Sequence, residues 1–202
     1  MSRSRSALHL SSNLPKARYD SVAITLHWVI ALGILVQIAM GLAMAHLSIP
    51  IHLKFQLYQL HKSIGITVLF AVALRVLWRL THRPPALPEA MPVLERRAAA
   101  GTHFLLYFFM LAMPLTGWAL VSVSPYNIPT VLYGLLPWPD LPILSTLSDK
   151  HAADAVMTFI HSWLAYILIG VFALHAAAAL RHHFWLRDDT LRRMFWRLPR
   201  RP

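Results

Sequence analysis

The segment from Ala155 to Leu180 constrains the fold more than any other part of the chain. Its 26 residues include no Asp, Glu, Lys or Arg, and a helix needs about 20 predominantly apolar residues to cross a bilayer. The segment also contains two histidines, His161 and His175, which lie 14 residues apart. That spacing corresponds to roughly 21 Å along a helix axis and returns to within about 40° of the starting direction. The sequence therefore predicts a transmembrane helix with two imidazoles on one face, at two depths in the membrane.

The composition indicates that the rest of the chain is also membrane-embedded. The chain has 202 residues, a mean hydropathy of +0.52 and only 13% charged residues, which is too apolar for an ordinary soluble domain. Its apolar runs are long and uninterrupted, whereas a transmembrane barrel would show alternating strands of about ten residues. We therefore predict an all-α membrane protein, a bundle of four transmembrane helices in one domain, 21–181, with spans at about 22–45, 61–80, 102–123 and 155–180.

Basic residues are distributed unevenly between the segments that connect these spans. Sixteen of the 19 Lys and Arg residues lie before the first span, around the connection between the second and third, and after the fourth. This asymmetry follows the positive-inside rule, so both termini are predicted to be cytoplasmic. Residues 1–20 then form a flexible basic arm and residues 182–202 a basic tail that could fold as an amphipathic helix. Despite the net charge of +11, the expected partner of these segments is membrane lipid and not nucleic acid.

The chain contains no cysteine. Thiolate-ligated iron–sulfur clusters, covalently attached c-type haem and cysteine nucleophiles are therefore excluded. Any redox chemistry must depend on a cofactor that is held without a covalent bond.

Four histidines fall at two matching depths when the helices alternate in direction. His27, early in the first span, and His175, late in the fourth, lie towards the cytoplasmic side. His61 and His161 lie towards the outer side in the same way. Two imidazoles at one depth can fill both axial positions of a haem iron. The pairs His27/His175 and His61/His161 are therefore predicted to be the axial ligands of two haem groups.

Two other interpretations of these histidines stay open at this point. A membrane histidine often serves only as a hydrogen-bonding group between helices. A zinc or copper ion is chemically conceivable, although two histidines without a carboxylate or thiolate are too few for usual zinc coordination.

His103, at the cytoplasmic end of the third span, is expected to have a structural role or to contact a haem propionate. Arg75 and Arg79 are candidates for pairing with haem propionates, because arginine binds carboxylates bidentately, but they could equally be membrane-interface anchors.

Several motifs resemble the bacterial cytochrome b561 family. They are TLHW around His27, QLHKSIG around His61, RYD before the first span, PLTG at 114–117, and the long stretch from His161 that includes HAAAAL-x-HH and DDTLRRM. The resemblance covers nearly the whole chain from Arg18 to Met194. It implies a four-helix protein of the bacterial inner membrane that binds two haem b groups, with His27 and His175 at the inner haem and His61 and His161 at the outer one.

Within that family, the likeness is greatest to a small di-haem type that oxidises superoxide outside and passes the electrons to ubiquinone. The resemblance thus implies an oxidoreductase that moves electrons between a donor, such as superoxide, and the quinone pool. Three lysines on the outer side could steer an anion towards the outer haem: Lys54, Lys62 and Lys150. The outer segment between the third and fourth spans matches the family least.

Three competing functions remain. The chain could be a haem b membrane-anchor subunit that relays electrons for a partner dehydrogenase or reductase, in which case it should copurify with that redox partner protein. It could be a non-redox membrane adaptor or haem sensor, which predicts no fast reduction by quinol or superoxide. It could also be a histidine-based proton or metal transporter, which predicts no haem absorbance.

Overall fold

The computed structural model describes residues 18–85 and 91–196. Four long helices carry the fold: α1 (Ser21–His46), α2 (Ile51–Thr81), α3 (Val93–Val123) and α5 (Lys150–Arg181). Each is long and apolar enough to cross a membrane, as predicted. Between α3 and α5 lie a two-stranded sheet, β1 (Thr130–Leu132) and β2 (Leu136–Trp138), and a single helical turn, α4 (Pro142–Ser145).

Three of the long helices begin earlier than predicted. Helix α2 starts at Ile51 and not at His61, so most of the predicted outer loop before His61 is helical. Helices α3 and α5 start at Val93 and Lys150, before the predicted positions 102 and 155. Proline precedes the first residue of α2 and of α3, and Asp149 caps α5 by accepting a hydrogen bond from the Ala152 amide. These amphipathic first turns extend the helices beyond the apolar stretches that hydropathy detects.

The bundle is held by a small core and by close packing of helices that are neighbours in the fold. Helix α1 packs on α2, α2 on α3, and α3 on α5. The core contains Ile30, Ile34, Val68, Val72, Leu106, Phe109, Met110 and Leu168. Many other large apolar side chains are exposed, as expected where lipid replaces water around a bundle. Among the described helices, α5 packs less closely on α1 and α2 than on α3.

The contact between α1 and α2 depends on Gly33. A Cβ atom at this position would lie 2.7 Å from Cγ2 of Val68, which is too close for two carbon atoms. We expect Gly33→Ala to reduce the free energy of unfolding by about 1–3 kcal/mol, because the added methyl group overpacks the contact. An SDS titration of the detergent-solubilised protein measures this change. Gly170→Ala is the matched control, because nothing lies within 4 Å of the added methyl group; equal stability of the two variants would contradict this packing.

The sheet and α4 cover one end of the bundle. Strands β1 and β2 are antiparallel, with Thr130 opposite Trp138, and Gly134 in the connecting turn has a φ of +73°. The turn is fastened to α2, since the Tyr133 amide donates to Oγ of Ser63 (2.9 Å) and the Tyr133 hydroxyl bonds Oγ1 of Thr67 (2.6 Å). We call this end of the bundle the hairpin end.

The other end, where Arg18 precedes α1 and α5 finishes, we call the tail end. Here the chain leaves α5 through a π-helical turn, 182–186, and then a short 3₁₀ turn, 192–194. Arg187 adopts a left-handed conformation with φ of +53° and reverses the chain direction. The described part of the tail therefore does not form the continuous amphipathic helix that the sequence suggested.

Candidate haem-binding site

At the tail end, the rings of His27 and His175 face each other across the space between α1 and α5. Their ring centroids are 6.3 Å apart and their planes are inclined by 72°. The third imidazole at this level, His103 of α3, lies 5.4 Å from His175. His103 is exposed, whereas His27 and His175 are partly buried. The sequence prediction that His27 and His175 share one depth agrees with their positions, but the closeness of His103 to His175 was not predicted.

Towards the hairpin end, His61 of α2 and His161 of α5 lie close enough to interact electrostatically. Gly117 makes room for the His161 ring, and Gly41 lies beside the His61 ring. A Cβ atom on Gly117 would lie 3.2 Å from Cε1 of His161, and one on Gly41 would lie 3.8 Å from Cε1 of His61. The amide of Gln37 donates to the His61 carbonyl (3.0 Å) and ties α2 to α1 at this depth.

The orientation of His161 is set by Thr116 of α3. Oγ1 of Thr116 lies 2.9 Å from Nδ1 of His161, and the same hydroxyl donates to the Met113 carbonyl (3.0 Å). A hydroxyl has a single proton, so Thr116 must accept a hydrogen bond from Nδ1–H of His161. This tautomer leaves Nε2 of His161 with its lone pair available for a metal. Thr116 belongs to the PLTG motif, but its contact with His161 was not predicted from the sequence.

The contacts of the four histidines bear on whether they are ligands or helix–helix hydrogen-bonding groups. Within the described residues, the rings of His27, His61 and His175 form no hydrogen bond, and Nδ1 of His61 is buried without a partner. Helix-bridging hydrogen bonds therefore do not account for these three imidazoles. The described residues also contain no cluster of three or more His, Cys, Asp or Glu side chains that could hold a metal ion by themselves.

A porphyrin-held iron fits this donor set. Metal–imidazole bonds of about 2 Å, with each ring nitrogen about 1 Å from its ring centre, place two axial imidazoles roughly 6 Å apart. The separation of 6.3 Å between His27 and His175 agrees with that value. Haem would complete the coordination that two histidines cannot.

The two arginines predicted near the propionates occupy different environments. Arg75 is partly buried; its Nε donates to the Tyr107 hydroxyl (3.2 Å) and Nη1 donates to the Ala23 carbonyl (3.2 Å). It joins α1, α2 and α3 at the depth of His27 and interacts electrostatically with His27 and His175. Arg79, one turn further along α2, is exposed. Arg75 therefore has a structural role whether or not it also contacts a cofactor.

Two of the three lysines predicted to steer an anion already interact with other side chains. Nζ of Lys150 donates to Oδ1 of Asn127 (2.7 Å), and Lys62 lies near Asp140. Within the described residues, Lys54 has no hydrogen bond or ion pair.

The tail folds back onto the start of α1 beside His27. The indole Nε1 of Trp28 donates to the Met194 carbonyl (2.7 Å), and the Trp28 ring lies 5.0 Å from that of Phe195. Asp188 supports this path by accepting hydrogen bonds from Nδ1 of His182 and from the Thr190 amide. Burial raises the pKa of Asp188, but these hydrogen bonds outweigh burial and hold it below its ordinary value.

We expect Trp28→Phe to loosen the tail without unfolding the bundle. Loss of one hydrogen bond costs about 1 kcal/mol, which would raise the released population about fivefold. Limited trypsin digestion of the holoprotein measures this as faster cleavage around Arg187 to Arg193. Trp118→Phe is the matched control, because Trp118 makes the equivalent hydrogen bond to the Pro139 carbonyl (2.8 Å) at the hairpin end. Equal cleavage of the tail in the two variants would contradict the contact.

Comparison with known proteins places these features in a family context. Residues 18–197 match the family described as prokaryotic cytochrome b561. The chain is 35% identical over 184 residues to cytochrome b561 homolog 2 of Escherichia coli K12, covering 91% of this chain and 93% of that protein. It is 30% identical to the probable superoxide oxidase CybB of Yersinia pestis over 178 residues, covering 88% and 95%. Cytochrome b561 homolog 1 of E. coli K12 is 27% identical over 184 residues, covering 91% and 98%.

Proposed function

Because the chain belongs to the prokaryotic cytochrome b561 family, we propose that it is a di-haem electron-transfer protein that oxidises superoxide and reduces quinone. The family supports membrane electron transfer and a haem b cofactor in a multi-pass bacterial membrane protein. The number of haems, the electron donor and the acceptor are our proposal. The observation that carries it is the pairing of His27 with His175 at a centroid separation of 6.3 Å. A second pair, His61 of α2 and His161 of α5, lies towards the hairpin end.

In this proposal the chain's own residues hold and orient the cofactors. His27 and His175 would hold one haem at the tail end, and His61 and His161 would hold a second towards the hairpin end. Haem b, when bound, supplies a one-electron redox couple. Thr116 fixes the His161 ring and Gly117 leaves space for it. Arg75 and Arg79 are candidates for contact with propionates. With both axial positions filled by histidine, reaction with a donor would proceed by electron transfer and not by binding at the metal.

We assign the tail end to the cytoplasm and the hairpin end to the outer side of the inner membrane. The basic asymmetry of the sequence supports this orientation. Superoxide would then react at the hairpin end; superoxide as the donor is suggested by the relative from Yersinia pestis, a probable superoxide oxidase. Two superoxide anions would each lose one electron to become dioxygen, and one quinone would gain two electrons and two protons to become quinol.

The experiment is a turnover assay of the purified, haem-loaded protein alone in liposomes that contain ubiquinone. We expect superoxide from an enzymatic source to produce quinol, and added superoxide dismutase to abolish it. His161→Ala should lose this activity. Reduction of the haem by quinol without any response to superoxide would reject superoxide as the donor while leaving the electron-transfer function intact.

The membrane-anchor alternative gives a different result in the same preparation. A subunit that relays electrons for a dehydrogenase or reductase should show no donor:quinone turnover alone, and a partner protein should copurify with it from native membranes. Turnover by the isolated chain would reject that alternative.

A further inference from the structure

A pocket rich in arginine opens at the tail end, between the start of α1, the end of α2 and the residues that follow α2. It is small, with a cavity volume of about 20 Å³, and is partly open to solvent. Four arginines contribute to its lining: Arg18, Arg75, Arg79 and Arg83. Trp78, Tyr19 and Tyr107 supply the aromatic part of the wall. Tryptophan, tyrosine and arginine together are typical of the level where a transmembrane helix meets lipid headgroups.

The charge of the pocket is unbalanced. None of its four arginines forms an ion pair with a carboxylate among the described residues. Asp20 is the one acidic residue of the lining, and its Oδ1 accepts hydrogen bonds from the Ala23 amide (2.9 Å) and from Nε1 of Trp78 (3.0 Å). Burial raises the pKa of Asp20, but these hydrogen bonds outweigh burial and keep it below its ordinary value. Even with Asp20 ionised, the pocket retains an excess of positive charge.

The floor of the pocket is fixed by contacts that do not need a ligand. Arg75 is held by Tyr107 and by the Ala23 carbonyl. Trp78 is held by Asp20 and stacks on the His82 ring, with centroids 3.8 Å apart and planes inclined by 4°. Arg18, Arg79 and Arg83 are exposed at the rim. An anion that enters would therefore meet a rigid wall and three arginines whose guanidinium groups are free to close on it.

We propose that this pocket binds the phosphate group of an anionic phospholipid. Arginine binds phosphate oxygens bidentately, and basic pockets between transmembrane helices bind lipid headgroups. A lipid is favoured because the pocket lies at the end of apolar helices, where a diester phosphate is available at high local concentration. The pocket contains none of the paired histidines, although Arg75 at its floor lies near His27, and the proposal does not depend on the proposed electron-transfer function.

The test is lipid binding to the haem-loaded protein in neutral detergent, measured by native mass spectrometry with phosphatidylglycerol and with phosphatidylcholine. We expect phosphatidylglycerol to bind at least tenfold more tightly. The double variant Arg18→Gln/Arg83→Gln should lose about 10- to 30-fold of that affinity, since each arginine near an anionic lipid contributes about 1 kcal/mol. The matched control is Arg181→Gln/Arg187→Gln, which removes the same charge at the same end. Arg181 pairs with Glu95 (3.2 Å), and neither control residue lines the pocket.

Three outcomes would overturn the proposal. An equal loss in the control variant would mean that binding follows net charge alone. Competition by millimolar inorganic phosphate, with no preference between the two lipids, would mean that the ligand is free phosphate. A changed haem content or reduced-haem spectrum in Arg18→Gln/Arg83→Gln, with lipid binding intact, would assign the arginines to haem propionates. If the haem content is unchanged in both double variants, the result of the lipid-binding test is independent of the proposed electron-transfer function.

Discussion

His175→Ala is expected to remove the haem at the tail end and to leave the haem towards the hairpin end in place. His161→Ala is expected to do the reverse. Each substitution deletes one axial imidazole of one pair, and a b-type haem that loses an axial ligand has no covalent bond to retain it. The haem content per chain should therefore halve in each variant. Pyridine haemochrome assays give the content, and low-temperature reduced-minus-oxidised spectra show which component is lost.

The control for both variants is His151→Ala. His151 is also on α5, in its first turn, but it is exposed, so this variant should retain the full haem content. Loss of the same spectral component from His161→Ala and His175→Ala would contradict the assignment of the two pairs to two different depths.

His103 offers a sharper test of the pairing at the tail end. Its ring is closer to His175 than the ring of His27 is, at 5.4 Å against 6.3 Å. If His27 and His175 are the ligands, His27→Ala should remove the tail-end haem and His103→Ala should retain it. The opposite result would move the axial position from α1 to α3.

Thr116→Val is expected to weaken haem binding at the pair of His61 and His161 by about 10- to 100-fold, the usual effect of removing a hydrogen bond that orients a metal-ligating histidine. Valine has the shape of threonine but cannot accept the hydrogen bond from Nδ1 of His161, so the ring loses both its fixed tautomer and its fixed orientation. Haemin titration of the haem-depleted protein measures the change in affinity.

Thr116→Ser is the matched control for this substitution. Serine keeps the hydroxyl that lies 2.9 Å from His161 and donates to Met113, so it should restore most of the affinity. If serine and valine were equally impaired, the methyl group of Thr116 and not its hydroxyl would be the important feature.

The sequence was sufficient to predict the features that depend on long apolar runs and on residue spacing. The four helices follow from hydropathy. Helical periodicity predicts a shared face for His161 and His175, and alternating helix direction predicts a common depth for His27 and His175. Helices α2 and α3 begin before the predicted spans, because their amphipathic first turns carry Lys54 and Glu95 and do not belong to an apolar run.

Features that depend on contacts between distant segments were not predictable. The role of Thr116 requires the rotation of α3 relative to α5, and PLTG alone does not encode that rotation. The hydrogen bond from Trp28 to Met194 joins residues 166 positions apart, and it depends on the chain reversal at Arg187. The approach of His103 to His175 requires α3 to pack against α5 in one particular rotation. Each of these contacts is a tertiary property for which periodicity carries no signal.

The haem content of the purified chain tests the central claim most directly. Iron and protein are quantified in the same sample, together with the pyridine haemochrome spectrum, after expression with sufficient haem supply. We predict two non-covalent b-type haems per chain, because each of the two histidine pairs is proposed to hold one. A content of one haem would mean that one pair is structural, and a content of none would contradict the electron-transfer function altogether.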